Sequence, residues 1–440
     1  MRKSMAVWRG ALLVAVSVMS VTISQSTGAA AQPDEPTPTS QLLRKDVLIN
    51  ADRWDKRPRM MAAGLGFTGI VGVDGLTTDN LAGSEALVRA AGGAWNRVQC
   101  AAGQAPALAA YTSASTPMQV ASAFGFPIDD ADGLPVEFSW PVRPSRLDAT
   151  DFQVTLNTGE IVTPRLASIF PNSEYNERSV AVLFGAFGNR LPPTDPAARY
   201  PVRTAVVRDA TPLQLVGPGG RFTSAVGLSA KSSGTPYADP DVPPDKRSGP
   251  RLVAAKLSRM STRGEQAPQP FSATLPNDGE TLYGKQAKYR LRVYTTGGFS
   301  PDGVRAVLPT EFSRYFRLHA KGRDGKKVEL TEANVEYRID HHVVRILGLA
   351  DLGQSSPQYD DCYREDKDNY IDIVLAGDKA AVERITTVEI PAAGNYSPFY
   401  NPGGPGNDPT PEVRYTSPGP AQRQAILNAL DDPMTVTLRP

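Results

Sequence analysis

Phe152-Gln153-Val154-Thr155-Leu156-Asn157-Thr158-Gly159-Glu160-Ile161-Val162-Thr163 decides how this chain is read. Apolar and polar residues alternate up to Leu156, Asn157-Thr158-Gly159 turns the chain, and apolar residues resume at Ile161. A period of two places Phe152, Val154 and Leu156 on one face of a strand, and the turn returns that strand as a β-hairpin.

The same period recurs on both sides. Pro135 to Pro141 alternates and ends at a proline, Ser179 to Gly185 reads as a buried strand, and Val202 to Val207 as another. Further on, Tyr289, Leu291 and Val293 alternate with Lys288, Arg290 and Arg292, which predicts an apolar face turned inward and a basic face turned outward. Phe316 and Leu318 alternate with Arg317 and His319. Gly322 to Gly325 then turns the chain toward Val328-Glu329-Leu330, and Val335, Tyr337 and Ile339 continue the pattern. Tyr370 to Leu375 and Met434 to Leu438 complete the strands. Helical stretches are short: Gly83 to Ala91, Pro117 to Phe124 with Thr116 as its cap, and Ala421 to Leu430. The expected fold is mainly β, with two antiparallel β-sandwich-like regions and a few short helices.

The domain organisation follows from composition. Residues 1–31 carry a basic start (Arg2, Lys3, Arg9), an apolar stretch from Ala11 and small residues at Ala29-Ala30-Ala31, the pattern of a secretory signal peptide. Residues 32–48 read as a disordered, proline-rich leader. Residues 49–228 form an N-terminal β-rich region, residues 229–275 a linker or long loop, and residues 276–440 a C-terminal β-rich domain. No later stretch is apolar for long enough to cross a bilayer, so no transmembrane segment is expected after signal cleavage. With 47 basic and 46 acidic residues the chain has no field that would draw nucleic acid. Export also governs the cysteines: Cys100 and Cys362 are the only two, and an oxidising compartment favours a disulfide between them.

Chemistry is sparse. Asp360, Asp361, Glu365, Asp366, Asp368 and Asp372 make the densest acidic cluster. Asp366, Asp368, Asn369 and Asp372 offer several oxygens within one short loop, the donor type calcium takes, although Tyr370 and Ile371 spoil an EF-hand register. The simpler alternative is a solvated acidic loop leading into a strand. His341 and His342 fall on opposite faces of a strand, His341 inward with Tyr337 and Ile339, and His342 outward with Arg338 and Asp340. They cannot easily share a metal. No G-x-S-x-G, H-E-x-x-H or P-loop is present. Asn189 and Arg190, which follow a strand end and Phe187, join His342 as residues that could face a ligand. The expected function is a secreted β-rich binding or cell-envelope-associated protein, calcium-stabilised, acting on an extracellular or envelope ligand. The alternative is an extracellular hydrolase with a metal or carboxylate site near residues 340–372.

Overall fold

A computed structural model describes residues 38–101, 103, 105–232, 241, 251–269, 271, 278–298, 303–305, 307–353, 355–363, 368–391 and 421–439. Residues 1–31, where a signal peptide is expected, the first six residues of the leader (32–37), Asp366 and the Gly-Pro stretch at 401–409 lie outside the described residues.

The described chain is mainly β, with antiparallel sheets and a few short helices. Phe152–Leu156 pairs with Ile161–Val162 as a hairpin, and the sheet continues through Pro201–Val206 to Ser229–Lys231. A five-stranded sheet holds Met60–Ala63, Ala131–Phe138, Val180–Gly185 and Leu166–Ser168 in that order, with Phe67–Val71 also paired to Ala131–Phe138. Alternation explains how the two sheets meet. Leu134, Val136 and Phe138 of one, and Phe152, Val154 and Leu156 of the other, close one apolar core.

The largest sheet has nine strands. Their order is Lys327–Leu330, Arg317–Lys321, Ile385–Ile390, Gln422–Asn428, Leu252–Arg259, Tyr289–Thr295, Tyr370–Gly377, His342–Ala350 and Glu336–Ile339. The first and last of these are consecutive in sequence and approach one another. The sheet therefore curls, and Leu291, Ile373, Ile346, Leu318, Leu330 and Val388 meet in a single interior core. Leu252–Arg259, within the stretch expected to be a connector, sits in the middle of this sheet between Gln422–Asn428 and Tyr289–Thr295.

Three local expectations need correction. Ala421 to Leu430 is a strand, Gln422–Asn428, not a helix. Its helix-forming residues are overruled by pairing on both sides, parallel to Leu252–Arg259 and antiparallel to Ile385–Ile390. His341 does not point inward. Asp340 takes φ 51°, the hairpin closes there, and both His341 and His342 are exposed on the turn. Residues 39–44 of the leader form a 3-10 helix with Leu43 buried against Ala267 and Phe271. Pro117–Phe124 agrees with the reading, with a capping box at Thr116 and a left-handed Gly125 as its stop. The first helix, Leu81–Ala90, starts before the Gly83–Ser84 expected to cap it and is capped by Asn80 instead.

Candidate functional site

The residues most in need of an account lie between the sheets. The face of the nine-stranded sheet opposite its apolar interior carries Lys256, Arg290, Arg292 and Asp372, in adjacent register: Lys256 faces Arg292 across one strand pair, and Arg292 faces Asp372 across the next. Alternation places these side chains away from the interior as the sequence implies, but the N-terminal region covers them. Arg292 is 0% exposed, and Lys256, Arg290 and Asp372 are also buried. The basic face expected in solvent is therefore a buried charged layer.

Carboxylates surround it. Arg292 Nε and Nη2 donate to Asp372 at 2.8 and 3.1 Å, and Nη1 donates to Asp52 at 3.3 Å and lies 3.0 Å from Glu177. Asp351 and Glu265 complete the ring around the guanidinium. Arg290 pairs with Glu265 and, at 3.5 Å, with Asp372. Lys256 pairs with Asp52 and donates to the Pro433 carbonyl at 3.1 Å. Burial alone would raise Asp52, but Lys256 and the two arginines hold its carboxyl below the usual value. Burial would also lower Arg292, yet the carboxylates around it raise it well above the ordinary guanidinium range.

The covering element is a buried polar loop, Asn172-Ser173-Glu174-Tyr175-Asn176-Glu177-Arg178, all but Tyr175 fully buried. Loops normally lie on the surface because buried backbone carbonyls need donors. Arg178 supplies them. Its Nη1 donates to the carbonyls of Asn172 (2.9 Å) and Glu177 (3.2 Å), its Nη2 to that of Ser173 (2.9 Å), and the Glu174 carbonyl is closer still. Burial pushes Arg178 down to about 10, so it stays cationic at neutral pH. Gly264 admits the next segment against this loop. A Cβ there would lie 2.0 Å from the Ile49 carbonyl, and its own carbonyl accepts from Asn176 N at 3.0 Å, which sets Glu265 beside Arg290.

The acidic cluster of the sequence divides. Asp360 and Asp361 grip the backbone around Cys100, accepting from Ala101 N at 2.7 Å and Gln99 N at 2.9 Å. Cys100 and Cys362 are bonded, with Cα atoms 5.4 Å apart. Asp368 and Asn369 are buried and turn toward Asn172, whose Nδ2 donates to Asp368 Oδ2 at 3.2 Å and Asn369 Oδ1 at 3.3 Å. Asp372 serves the arginines. Asp368 and Asn369 thus face Asn172 while Asp372 faces the arginines, and Asp366, the fourth residue of the expected calcium loop, lies outside the described residues. Two groups of described residues bring three metal-ligating atoms within 4.8 Å of one another: Cys100, Asp360 and Cys362, whose sulfurs are committed to the disulfide, and Glu174, Glu177 and Asp368, all buried.

The other sequence candidates have separate roles. His319 Nε2 lies 2.6 Å from Glu389, which also accepts from Arg423. His342 sits 3.7 Å from Asp378 on the exposed turn, and Asp340 accepts from Arg323 N rather than orienting either neighbouring ring. Asn189 braces its own loop, donating to the Ala197 carbonyl and accepting from Arg199 N. Arg190 is half-buried and its side chain lies against Gly92. Phe187 N and Gly188 N donate to buried Asp132, whose carboxyl burial raises to about 6. A small cavity under the 3-10 helix, lined by Leu43, Phe124, Leu147 and Ile169 among others, holds none of the histidines or network carboxylates.

Sequence reasoning missed the 172–178 loop. Its only signal was polar density directly after Pro171 and before a buried strand, which reads as solvated until the covering sheet is known. It also missed Glu137, wholly buried on the strand that faces Tyr294 and accepting no hydrogen bond from another residue. Burial raises its carboxyl from 4.5 to about 8. Between those values the native state binds a proton that the unfolded state lacks. Stability is therefore highest below the unfolded value and falls as pH rises through about 8. Glu137→Gln is expected to remove that slope and to stabilise the protein at pH 9 by about 3–5 kcal/mol. Urea unfolding of both proteins across that range measures it, and parallel pH profiles would refute it.

Among the described residues no helix is long and apolar enough to cross a membrane. No family model, curated protein or solved structure matches the chain.

Proposed function

We propose that this is an exported β-rich binding or cell-envelope-associated protein, with loops as its recognition surface on a scaffold held rigid by the buried charge layer and the disulfide. The observation that carries this reading is the Cys100–Cys362 bond. Both cysteines of the chain are spent on it, as suits an oxidising compartment, and the basic, apolar and small-residue pattern of residues 1–31 fits the route there. The charge layer supports a scaffold role over catalysis, because its side chains are sealed between sheets where a substrate has no approach. The hydrolase alternative has less to rest on. His319, His341 and His342 stand with their own partners or in solvent, while Asp368 and Asp372 are buried.

Expression of the full chain followed by cell fractionation tests the reading. The expected result is protein outside the cytoplasm, with a new N-terminus near Gln32 and cysteines that resist alkylation until reduced. Deleting residues 1–31 should leave it in the cytoplasm. Full-length chain retained in the cytoplasm with alkylatable thiols would overturn it. Turnover of ester, glycoside or peptide reporters that is lost in His319→Ala would instead support the hydrolase.

A further inference from the structure

Glu174, Glu177 and Asp368 present carboxylate oxygens within 4.8 Å of one another, all of them buried. Like charges at that distance, out of water, cannot all stay ionised without a counter-charge. The cations nearby are already divided. Arg292 is shared by Asp52, Glu177, Glu265, Asp351 and Asp372, and the guanidinium donors of Arg178 run to backbone carbonyls. Across the layer the described buried side chains set seven carboxylates (Asp52, Glu174, Glu177, Glu265, Asp351, Asp368, Asp372) against Arg178, Lys256, Arg290 and Arg292. Carboxyl groups outnumber the cations, although burial raises Asp351 and Glu265 so that part of that excess is carried as protons.

A second observation is independent of that charge count. Asn172 is 0% exposed, its carboxamide faces Asp368 through Nδ2, and its Oδ1 accepts no hydrogen bond from the described residues. An orphaned amide oxygen in a dry interior costs stability unless it has a partner. On a side chain that touches Asp368, it is an oxygen donor of the kind a hard cation takes.

We propose that Glu174, Glu177 and Asp368, with the carboxamide of Asn172, form a calcium site that ties the 172–178 loop to the start of the strand Tyr370–Gly377. The donors are all oxygen and drawn from two chain segments far apart in sequence, a set that suits the larger, irregularly coordinated Ca²⁺. Mg²⁺ usually keeps several of its waters, for which a sealed interior leaves little room. The site is distinct from the loop-borne one expected from sequence: only Asp368 is common to both, and its partners lie nearly two hundred residues away. It does not depend on the exported reading, since ion binding is measured on the purified protein wherever the protein resides.

The test uses the full chain with its disulfide intact, dialysed against chelator and titrated with calcium chloride alone. The expected result is saturable binding of a single ion per chain, a melting temperature that rises with calcium and falls again with chelator, and binding weakened at least tenfold in Glu174→Gln. Terbium should give Tyr- and Trp-sensitised emission from the same site, because Tyr370 interacts with both Glu177 and Asp368 and stacks on Trp54. The isosteric Asp368→Asn is the second variant should Glu174→Gln fail to fold. A wild-type melt indifferent to calcium and chelator, without saturable binding, would overturn the proposal and leave shared protons as the counter-charge. So would folded variants that bind calcium as the wild type does.

Discussion

Arg292→Met should cost at least about 3–5 kcal/mol of folding stability, the usual cost of removing one partner from a buried ionic cluster. Against a typical total of about 5–15 kcal/mol this is a large share of the stability. Met fills much of the volume, so the loss is electrostatic. Asp52, Glu177, Glu265, Asp351 and Asp372 would keep their burial and lose the guanidinium they share. The pH dependence identifies the cause. In the native protein Asp52 and Glu177 are held below their ordinary values: burial opposes this, but Lys256 and Arg292 acting on Asp52, and Arg292 acting on Glu177, outweigh it. Their contribution is present above the unfolded carboxylate range and lost as pH falls through it. Without Arg292, the main group holding Glu177 down, burial prevails there and that carboxyl is pushed up, while Lys256 still opposes burial at Asp52. The contribution of Glu177 then reverses sign: present at acid pH, lost as pH rises. The deficit of Arg292→Met, measured by urea unfolding, should be markedly smaller at pH 5 than at pH 8. An equal deficit at both would mean that lost packing is the cause and that the charge layer carries no electrostatic stability.

The same layer shows what a sequence can disclose and what it cannot. Period-two alternation separates the two faces of a strand, and that separation holds for Leu291 and Val293 against Arg290 and Arg292. Alternation says nothing about which polar face a later-packed element will cover. The cover here is Asn172 to Arg178, whose polar residues carry no periodic signal and whose burial depends on contacts across more than a hundred residues of chain. The acidic loop was legible as charge but not as geometry. Asp360 and Asp361 turn to the backbone at Gln99 and Ala101, whereas Asp368 and Asp372 enter the interior, and only folding sorts them. Local signals fared better where they were self-contained. Thr116-Pro117 capped its helix and Asn157-Thr158-Gly159 closed its hairpin, because caps and tight turns are settled within a few residues. At Ala421 to Leu430, helical propensity of a few tenths of a kcal/mol per residue lost to two strand partners.

Removing the disulfide in a Cys100→Ala, Cys362→Ala variant should lower stability by about 5 kcal/mol, from the entropy of opening so long a loop in the denatured chain. The bond spans 262 residues of sequence and joins the N-terminal third of the chain to the strand-entry loop of the large sheet. The double variant is the right comparison, since either single change leaves a thiol free to form intermolecular bonds. Native geometry around the site should survive. The Asp360 and Asp361 carboxylates hold the 99–101 backbone by their own hydrogen bonds, so the cost falls on the unfolded side of the equilibrium. Denaturant unfolding has two independent readouts for this. The midpoint should fall, and the denaturant slope should steepen, because a chain freed of a long crosslink exposes more surface when it unfolds. A lower midpoint with an unchanged slope would place the bond's effect in the native structure. An unchanged midpoint would mean that the carboxylate clamp alone holds the two segments together, and that the bond marks the compartment without stabilising the fold.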